Sequence, residues 1–363
     1  MVKLKNDTFD VEDWNSEYAK RYLVSTILQS LFLVLGFCGN MMVIVIYTTR
    51  MKSKNDDRYF IPFLAGVDLL GCLVSTTLIL LNNNLPYKYP NSAICKSLNV
   101  MACGLIVASV FLLLVISVQR YQKICRPFGF QMTLHLKRKV VALVFTLAIT
   151  FAFPTIFLTE KIEVLHPVTN ITGYRCGPVP NTEQIGETHL GILITAELTS
   201  VICMSILYGF VAYTLVTKLK PSRKINKTEI VSRTTHFEIT SNDTKTTRVT
   251  DNTTKMDDFD SNEWDHTNID AKKGKTRSGK HYSMMFMSIS LVSILCLLPP
   301  WVFVLLETKN KAFWNNLTYQ ETQGYVIIRG LFVLNFVVNP IIYGYFDSKF
   351  RNNVAQIFAS IFN

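Results

Sequence analysis

The chain predicts an all-α membrane protein, a bundle of seven transmembrane helices followed by a short C-terminal interfacial helix. Three observations carry this. Of its 363 residues, 49% are apolar and only 17% charged, against about 25% charged in an ordinary soluble domain. The apolar residues gather in seven stretches, near 22–48, 60–82, 95–121, 139–159, 190–216, 282–306 and 323–346. Each is long enough to cross a hydrocarbon core, which takes roughly 20 helical residues. The seventh stretch contains Asn339-Pro340-Ile341-Ile342-Tyr343. Pro340 removes a backbone donor, and lipid supplies no partner for the carbonyl it frees. A pair that costly marks a helix built to bend.

Taken in chain order, residues 1–21 are polar, mixed in charge and without the contiguous apolar region of a cleaved signal peptide. They read as an extracellular N-terminus, with the first span as its own insertion signal. Residues 22–217 hold spans one to five and their loops. From 218 to 280 the composition turns to Thr, Asp, Asn and Lys with almost no apolar periodicity. Such a segment cannot offset its chain entropy by burial, so it reads as a disordered third cytoplasmic loop. Spans six and seven fill 281–346, and 347–363 is the interfacial helix with a short tail.

Basic residues set the orientation. Of 37 Lys and Arg, 26 fall within 48–59, 120–139, 217–281 and the tail after 346. Positive loops stay cytoplasmic, which places the N-terminus outside and the chain in the plasma membrane as a multi-pass protein. The net charge of +11 is therefore mainly a topology signal. It does not indicate nucleic-acid binding, since no soluble basic domain is present. Sequons at Asn6, Asn170 and Asn316 all fall outside on this topology and are candidate glycosylation sites. Most of the eight cysteines lie within spans, where a thiol is usually a small apolar filler. Cys95 and Cys176 lie on the oxidising side, where disulfides persist. They either bridge, pinning the second outer loop over the bundle mouth, or are two unrelated thiols.

Arg120 follows Cys95 by 25 residues, about 37 Å along a helix. One helix thus runs from the outer surface to Gln119-Arg120-Tyr121 at the inner surface. Here the sequence resembles the rhodopsin-like (class A) G-protein-coupled receptors, whose third helix begins with a bridging cysteine and ends in Asp/Glu-Arg-Tyr. The likeness covers roughly 22–352. Gly39-Asn40 matches the first helix and Leu64-Ala65-Gly66-Val67-Asp68 the second. Pro299 matches the sixth, and Asn339-Pro340-Ile341-Ile342-Tyr343 followed by Phe350 matches the seventh and the interfacial helix. Each motif is weak alone; their order and spacing are specific.

Asp68 is an ionisable residue in mid-membrane, which makes it a functional site by default. Asn40, Ser109, Asn335 and Asn339 are polar at comparable depth. The resemblance implies that Asp68, Ser109, Asn335 and Asn339 surround an allosteric Na⁺; the alternative is a hydrogen-bonded network that only fixes helix packing. No other cofactor is implied. The resemblance also implies that helix six swings about Pro299, that Arg120 meets a heterotrimeric G protein, and that Tyr208 and Tyr343 fill the opened space. Ordinary interfacial anchoring is the alternative for the tyrosines.

Four positions depart from the pattern. Gln119 replaces the acidic neighbour of Arg120, and Gly279 stands where some relatives carry a second acid. Leu297 replaces the tryptophan before the proline of helix six, with Trp301 one turn outward. Ser200 replaces a proline of helix five, and Val144 and Phe145 occupy the place of a tryptophan in helix four. Val333 where opsins carry the retinal lysine, and Ala102 where amine receptors carry an acid, argue against light and biogenic amines. Arg329 in helix seven is suited to a ligand carboxylate or amide, or else to an internal pair with Glu307 or Glu197. Lys96, Asn99, Glu307, Trp301 and Tyr325 are the other candidate pocket residues. Glu160-Lys161-Ile162-Glu163-Val164 alternates like a hairpin strand over the mouth, as suits a peptide-receptor vestibule.

The expected function is a cell-surface receptor that takes an extracellular ligand, foremost a neuropeptide, and activates heterotrimeric G proteins by an outward swing of helix six. Alternatives are a small acidic or lipid ligand, or an atypical receptor that binds without efficient coupling. A transporter would need paired half-repeats, which are absent from the sequence. No nucleophile or metal spacing points to an enzyme.

Overall fold

The computed structural model describes residues 9–50, 58–217, 261–309, 313 and 317–362. Seven helices are long and apolar enough to cross a membrane: Leu23–Arg50, Ile61–Asn84, Ser92–Cys125, Leu134–Leu158, Glu183–Thr217, Ser283–Glu307 and Tyr319–Phe346. They are spans 1 to 7 below, and each overlaps the stretch that hydropathy predicts. Span 3 begins earlier than predicted because Asn91 caps it, its side chain accepting from the Ile94 N–H at 2.8 Å. Such a cap satisfies one of the orphan donors at a helix start.

The chain divides into two compact units, Met1–Val211 with His281–Asn363, and Ala212–Lys280. Within the second, the expected loop over 218–260 lies outside the described residues. Helical backbone begins at Ser261 and runs without interruption to Lys309, so part of the stretch read as loop is helix. Extending a nucleated helix adds one bond per residue and needs no apolar face, so hydropathy gave no warning of it.

Spans 1, 4 and 5 turn Leu31, Val34, Leu35, Ile149, Ile202 and Phe210 outward. An exposed apolar belt of this size has hydrocarbon as its natural solvent. The core between the spans is built from Val43, Leu64, Leu112, Ile116, Tyr208, Phe286 and Tyr343. Spans 1, 2 and 7 approach closely through small residues, as membrane helices do. A Cβ on Gly39 would stand 2.9 Å from Pro340, and one on Gly71 would stand 2.7 Å from the Phe336 ring.

Span 7 departs from expectation. Its helical pattern persists through Pro340 and is instead interrupted by a 3₁₀ turn at Leu331–Val333 after Gly330. The Gly330 carbonyl accepts a bond from Gln29 Nε2 of span 1 at 3.2 Å. The Phe336 carbonyl, freed by Pro340, accepts from Asn40 Nδ2 at 2.8 Å.

At one end of the bundle, β1 (Thr159–Leu165) pairs antiparallel with β2 (Thr172–Pro178), Lys161 opposite Cys176. This is the hairpin that the alternating segment predicts. Beside it lies an element the sequence reading missed, a helix at Val11–Arg21. Asp10 opens it with a capping box, accepting from the Glu12 and Asp13 N–H groups. At the opposite end, Ser348–Phe362 forms the expected C-terminal helix. Asp347 starts it by accepting from the N–H groups of Lys349 and Phe350, and its carboxylate also takes the Tyr47 hydroxyl at 2.8 Å and Arg58 at 3.5 Å.

Candidate functional site

Three groups of residues lie along span 3, and the first sits at mid-bundle. Asp68, Ser109, Asn335 and Asn339 are all buried and bonded to one another. The Asp68 carboxylate accepts from Asn339 Nδ2 at 2.6 Å and from Ser109 Oγ at 3.3 Å. Asn335 Nδ2 in turn donates to Ser109 Oγ at 3.2 Å. Three spans thereby share one carboxylate. The side-chain oxygen of Asn335 is buried without a partner among the described residues. A carboxylate, a hydroxyl and a free amide oxygen are the donors a hard cation takes, so the residues present fit Na⁺.

The second group is at the Arg120 end. Arg120 is buried, with its guanidinium carbon 4.6 Å from the Phe286 ring centroid of span 6. Tyr208 of span 5 and Tyr343 of span 7 lie within electrostatic reach of it. The Tyr343 hydroxyl is buried and finds no partner among the described residues, while the buried Tyr208 hydroxyl lies near Ser290. Gln119 is buried beside Arg120, whereas Tyr121 is half-exposed and packs on Phe210. Tyr343 also stacks near Tyr47 and Phe350, which ties this end to the C-terminal helix. Pro299 is followed by a second proline, Pro300, inside the same helix. Two adjacent backbone donors are therefore missing within span 6.

The third group is at the disulfide end. Cys95 and Cys176 are bonded, with Cα atoms 5.6 Å apart, so β2 is anchored to the start of span 3. Asn99 is braced against this link, donating to the Cys95 carbonyl at 2.8 Å and lying 3.2 Å from Cys176 Sγ. Lys96 pairs with Glu160 of β1 at 3.4 Å. Arg329 pairs with Glu307 at 3.4 Å and is 54% exposed. The internal pair weighed for Arg329 is thus formed with Glu307, and the arginine side chain is half exposed. Tyr325 sits in an aromatic cluster with Phe303 at 4.5 Å and Phe313 at 5.2 Å. Leu297 is buried, and the Trp301 indole N–H donates to Glu197 of span 5 at 2.5 Å.

The N-terminal helix closes over part of this end. Trp14 is 3% exposed and stacks on Tyr87 with centroids 3.7 Å apart. Asn15 donates to the Asn84 carbonyl at 3.0 Å and accepts from the Tyr87 N–H at 3.1 Å. The loop after span 2 joins the hairpin in turn, Tyr174 N–H donating to the Tyr87 carbonyl at 2.8 Å and Tyr89 N–H to the Tyr174 carbonyl at 2.9 Å. Burial, then the neighbouring phenols Tyr18 and Tyr22, push the Tyr87 hydroxyl well above its ordinary pKa, so this stack stays neutral. Asn170 is exposed at the hairpin turn with φ 53°; Asn6 and Asn316 lie outside the described residues.

Residues 39–343 match the family described as "7 transmembrane receptor (rhodopsin family)". The chain belongs to this family. Like other rhodopsin-family receptors it is a multi-pass membrane protein and not an enzyme. Its fold also matches squid rhodopsin, with a TM-score of 0.65 at 17% identity, over 96% of this chain and 87% of that one. Among curated receptors, neuropeptide FF receptor 2 of Rattus norvegicus is 22% identical over 95% of this chain and 76% of its own length. The human cholecystokinin receptor type A is 27% identical over 54% of this chain and 46% of its own. The C3a anaphylatoxin chemotactic receptor of Oncorhynchus mykiss is 33% identical over 42% of this chain and 41% of its own. The last two alignments span less than half of the relatives they match.

Within this rhodopsin-family receptor, the residues missed from sequence are Trp14, Asn15, Phe286 and, as a bonded partner, Glu197. A signal existed for the first two, since Asp10 to Asp13 is a capping box. None existed for Phe286, one apolar residue among many in span 6.

Proposed function

We propose that the chain is a plasma-membrane receptor with its N-terminus outside, which binds a peptide at the disulfide end and activates a heterotrimeric G protein at the Arg120 end. The observation that carries this reading is span 3. A single helix, Ser92–Cys125, holds the disulfide, Asn99, Ser109 and Arg120, so one rigid element passes through all three groups.

Activation is a population shift between two bundle arrangements. In the arrangement described here, Phe286 of span 6 covers Arg120. A swing of span 6 about Pro299-Pro300 uncovers the guanidinium for the G-protein tail, and Tyr208 and Tyr343 gain partners for their hydroxyls in the space that opens. Na⁺ held by Asp68, Ser109, Asn335 and Asn339 would tie spans 2, 3 and 7 together and so favour the closed arrangement. The cation would supply charge compensation for Asp68.

A peptide ligand is supported by the hairpin vestibule and by the neuropeptide FF and cholecystokinin receptors among the similar proteins. Arg329, Glu307, Asn99, Trp301 and Tyr325 are its proposed contacts. The exposed guanidinium of Arg329 favours a small acidic or lipid ligand as the second reading. Gln119 beside Arg120 favours a third, a receptor that binds without efficient coupling. Asn6, Asn170 and Asn316 are proposed glycan sites.

G-protein activation in cells expressing the chain, first without ligand and then with a neuropeptide library, tests the reading beside Arg120→Ala. A response lost in Arg120→Ala supports it. Silence of a surface-expressed protein toward every peptide would move the assignment to a non-peptide acid or to the non-coupling reading.

A further inference from the structure

Glu197 is a buried ionisable residue that has no role in the receptor reading. It sits in span 5, is 5% exposed, and accepts a hydrogen bond from an uncharged donor, the Trp301 indole N–H, at 2.5 Å. No Lys or Arg among the described residues forms an ion pair with it. Cys103 of span 3 lies within its electrostatic reach, so the carboxylate faces the interior between spans 3, 5 and 6.

An ionised carboxylate has about four lone-pair sites. In a low-dielectric interior a single neutral donor compensates little of the charge, and such groups normally pair or mark a binding site. Helical context adds a second point. Trp301 follows Pro299-Pro300 directly, so the indole is carried on the bend of span 6. A group that takes the carboxylate from the indole acts on the segment that must move.

We propose that Glu197 and Trp301 form a cation-receiving subsite, in which a guanidinium or ammonium group of the ligand pairs with the carboxylate and displaces the indole. The inference rests on the receptor reading and narrows its ligand to molecules that carry a basic group. A pair with the ligand cation carries charge on both partners, whereas the indole bond it replaces has charge on the acceptor alone. With Arg329 at the mouth for an anionic or amide group, the ligand would bear complementary charges at two depths.

The test uses the purified full-length chain and two matched probes, Nα-acetyl-arginine amide and its neutral citrulline counterpart, with an acetyl-lysine amide to separate guanidinium from ammonium. Thermal midpoints are titrated with each. The arginine or lysine probe should raise the midpoint of the wild type while citrulline does not. Glu197→Gln keeps an acceptor for Trp301 and should weaken the cationic probe about tenfold or more. Glu197→Asp should retain part of the effect, and Glu187→Gln, at an exposed position of the same span, should leave it intact. The subsite is overturned by equal shifts for arginine and citrulline, by a shift that survives Glu197→Gln, or by no shift with any probe, as a carboxyl that stays protonated would give. G-protein exchange is read separately with arginine and citrulline peptides. A cation-specific shift without exchange on any Gα would sink the coupling reading and leave the subsite standing.

Discussion

Asn40 donates its side-chain amide to the carbonyl oxygen of Phe336 at 2.8 Å, and Phe336 stands four residues before Pro340. That carbonyl is the one whose intrahelical donor proline cannot supply. Span 1 therefore provides the hydrogen bond that span 7 lacks, at a depth where lipid offers none. Gly39, the neighbour of Asn40, lets the two helices approach closely enough for it to form.

Asn40→Ala removes that donor and leaves a buried carbonyl unpaired. It should cost about 1–3 kcal/mol, read as a lower thermal midpoint of the purified receptor. Asn40→Gln, with a longer reach to the same oxygen, should recover part of it. An unchanged midpoint in Asn40→Ala would mean that the bond contributes nothing.

Sodium should act through Asp68. Raising NaCl at constant ionic strength, with choline chloride as the balancing salt, should raise the wild-type midpoint and lower ligand-free exchange. Asp68→Asn keeps an acceptor for Ser109 but removes the charge that a hard cation needs. Both sodium effects should vanish in it. A sodium response that persists in Asp68→Asn would leave the four residues as a packing network alone.

Arg120 offers a test of the closed arrangement. Its contact with the Phe286 ring is worth on the order of 1–2 kcal/mol when desolvated, so Phe286→Ala should raise ligand-free exchange about fivefold or more. Gln119→Glu restores an acidic neighbour to Arg120 and should lower it. Both are measured as basal nucleotide exchange at matched surface expression. Ligand-free signalling that is unmoved by Gln119→Glu would refute the idea that the missing acid loosens Arg120.

The parts legible in the sequence were those with a repeating or covalent signal. Hydropathy located the seven spans because each one is a continuous apolar run, and alternation from Glu160 to Val164 located β1. Polar residues buried in apolar runs, Asp68 and Asn339 among them, stood out against their surroundings and are bonded to each other. The unread parts depend on single contacts between distant segments. Gln29 bonding Gly330, or Trp301 bonding Glu197, leaves no periodic trace, and the 3₁₀ turn that interrupts span 7 follows Gly330 and not Pro340. The N-terminal helix was missed for a related reason. It is mostly polar, and only two of its side chains, Trp14 and Asn15, are buried.

Those two side chains make the N-terminal helix separable from the bundle. Trp14 stacks on Tyr87, meets the edge of His166 at 5.0 Å, and lies where any Cβ on Gly173 would stand 2.9 Å from its ring. Truncating a buried tryptophan typically costs about 3–5 kcal/mol, more than a lone eleven-residue helix can supply from its own propensity. Trp14→Ala should therefore release the helix whole. Hydrogen exchange at the amides of 11–21 should rise toward the unprotected rate, with the thermal midpoint of the seven spans little changed. Gly173→Val should do the same from the opposite side by pushing on the indole. Loss of protection in both variants, with the Cys95–Cys176 hairpin still protected, is the expected result. Protection that survives Trp14→Ala would show that the remaining contacts, Asn15 to Asn84 and Tyr87, Glu12 to Lys88 and Tyr18 to Tyr87, suffice to hold the helix.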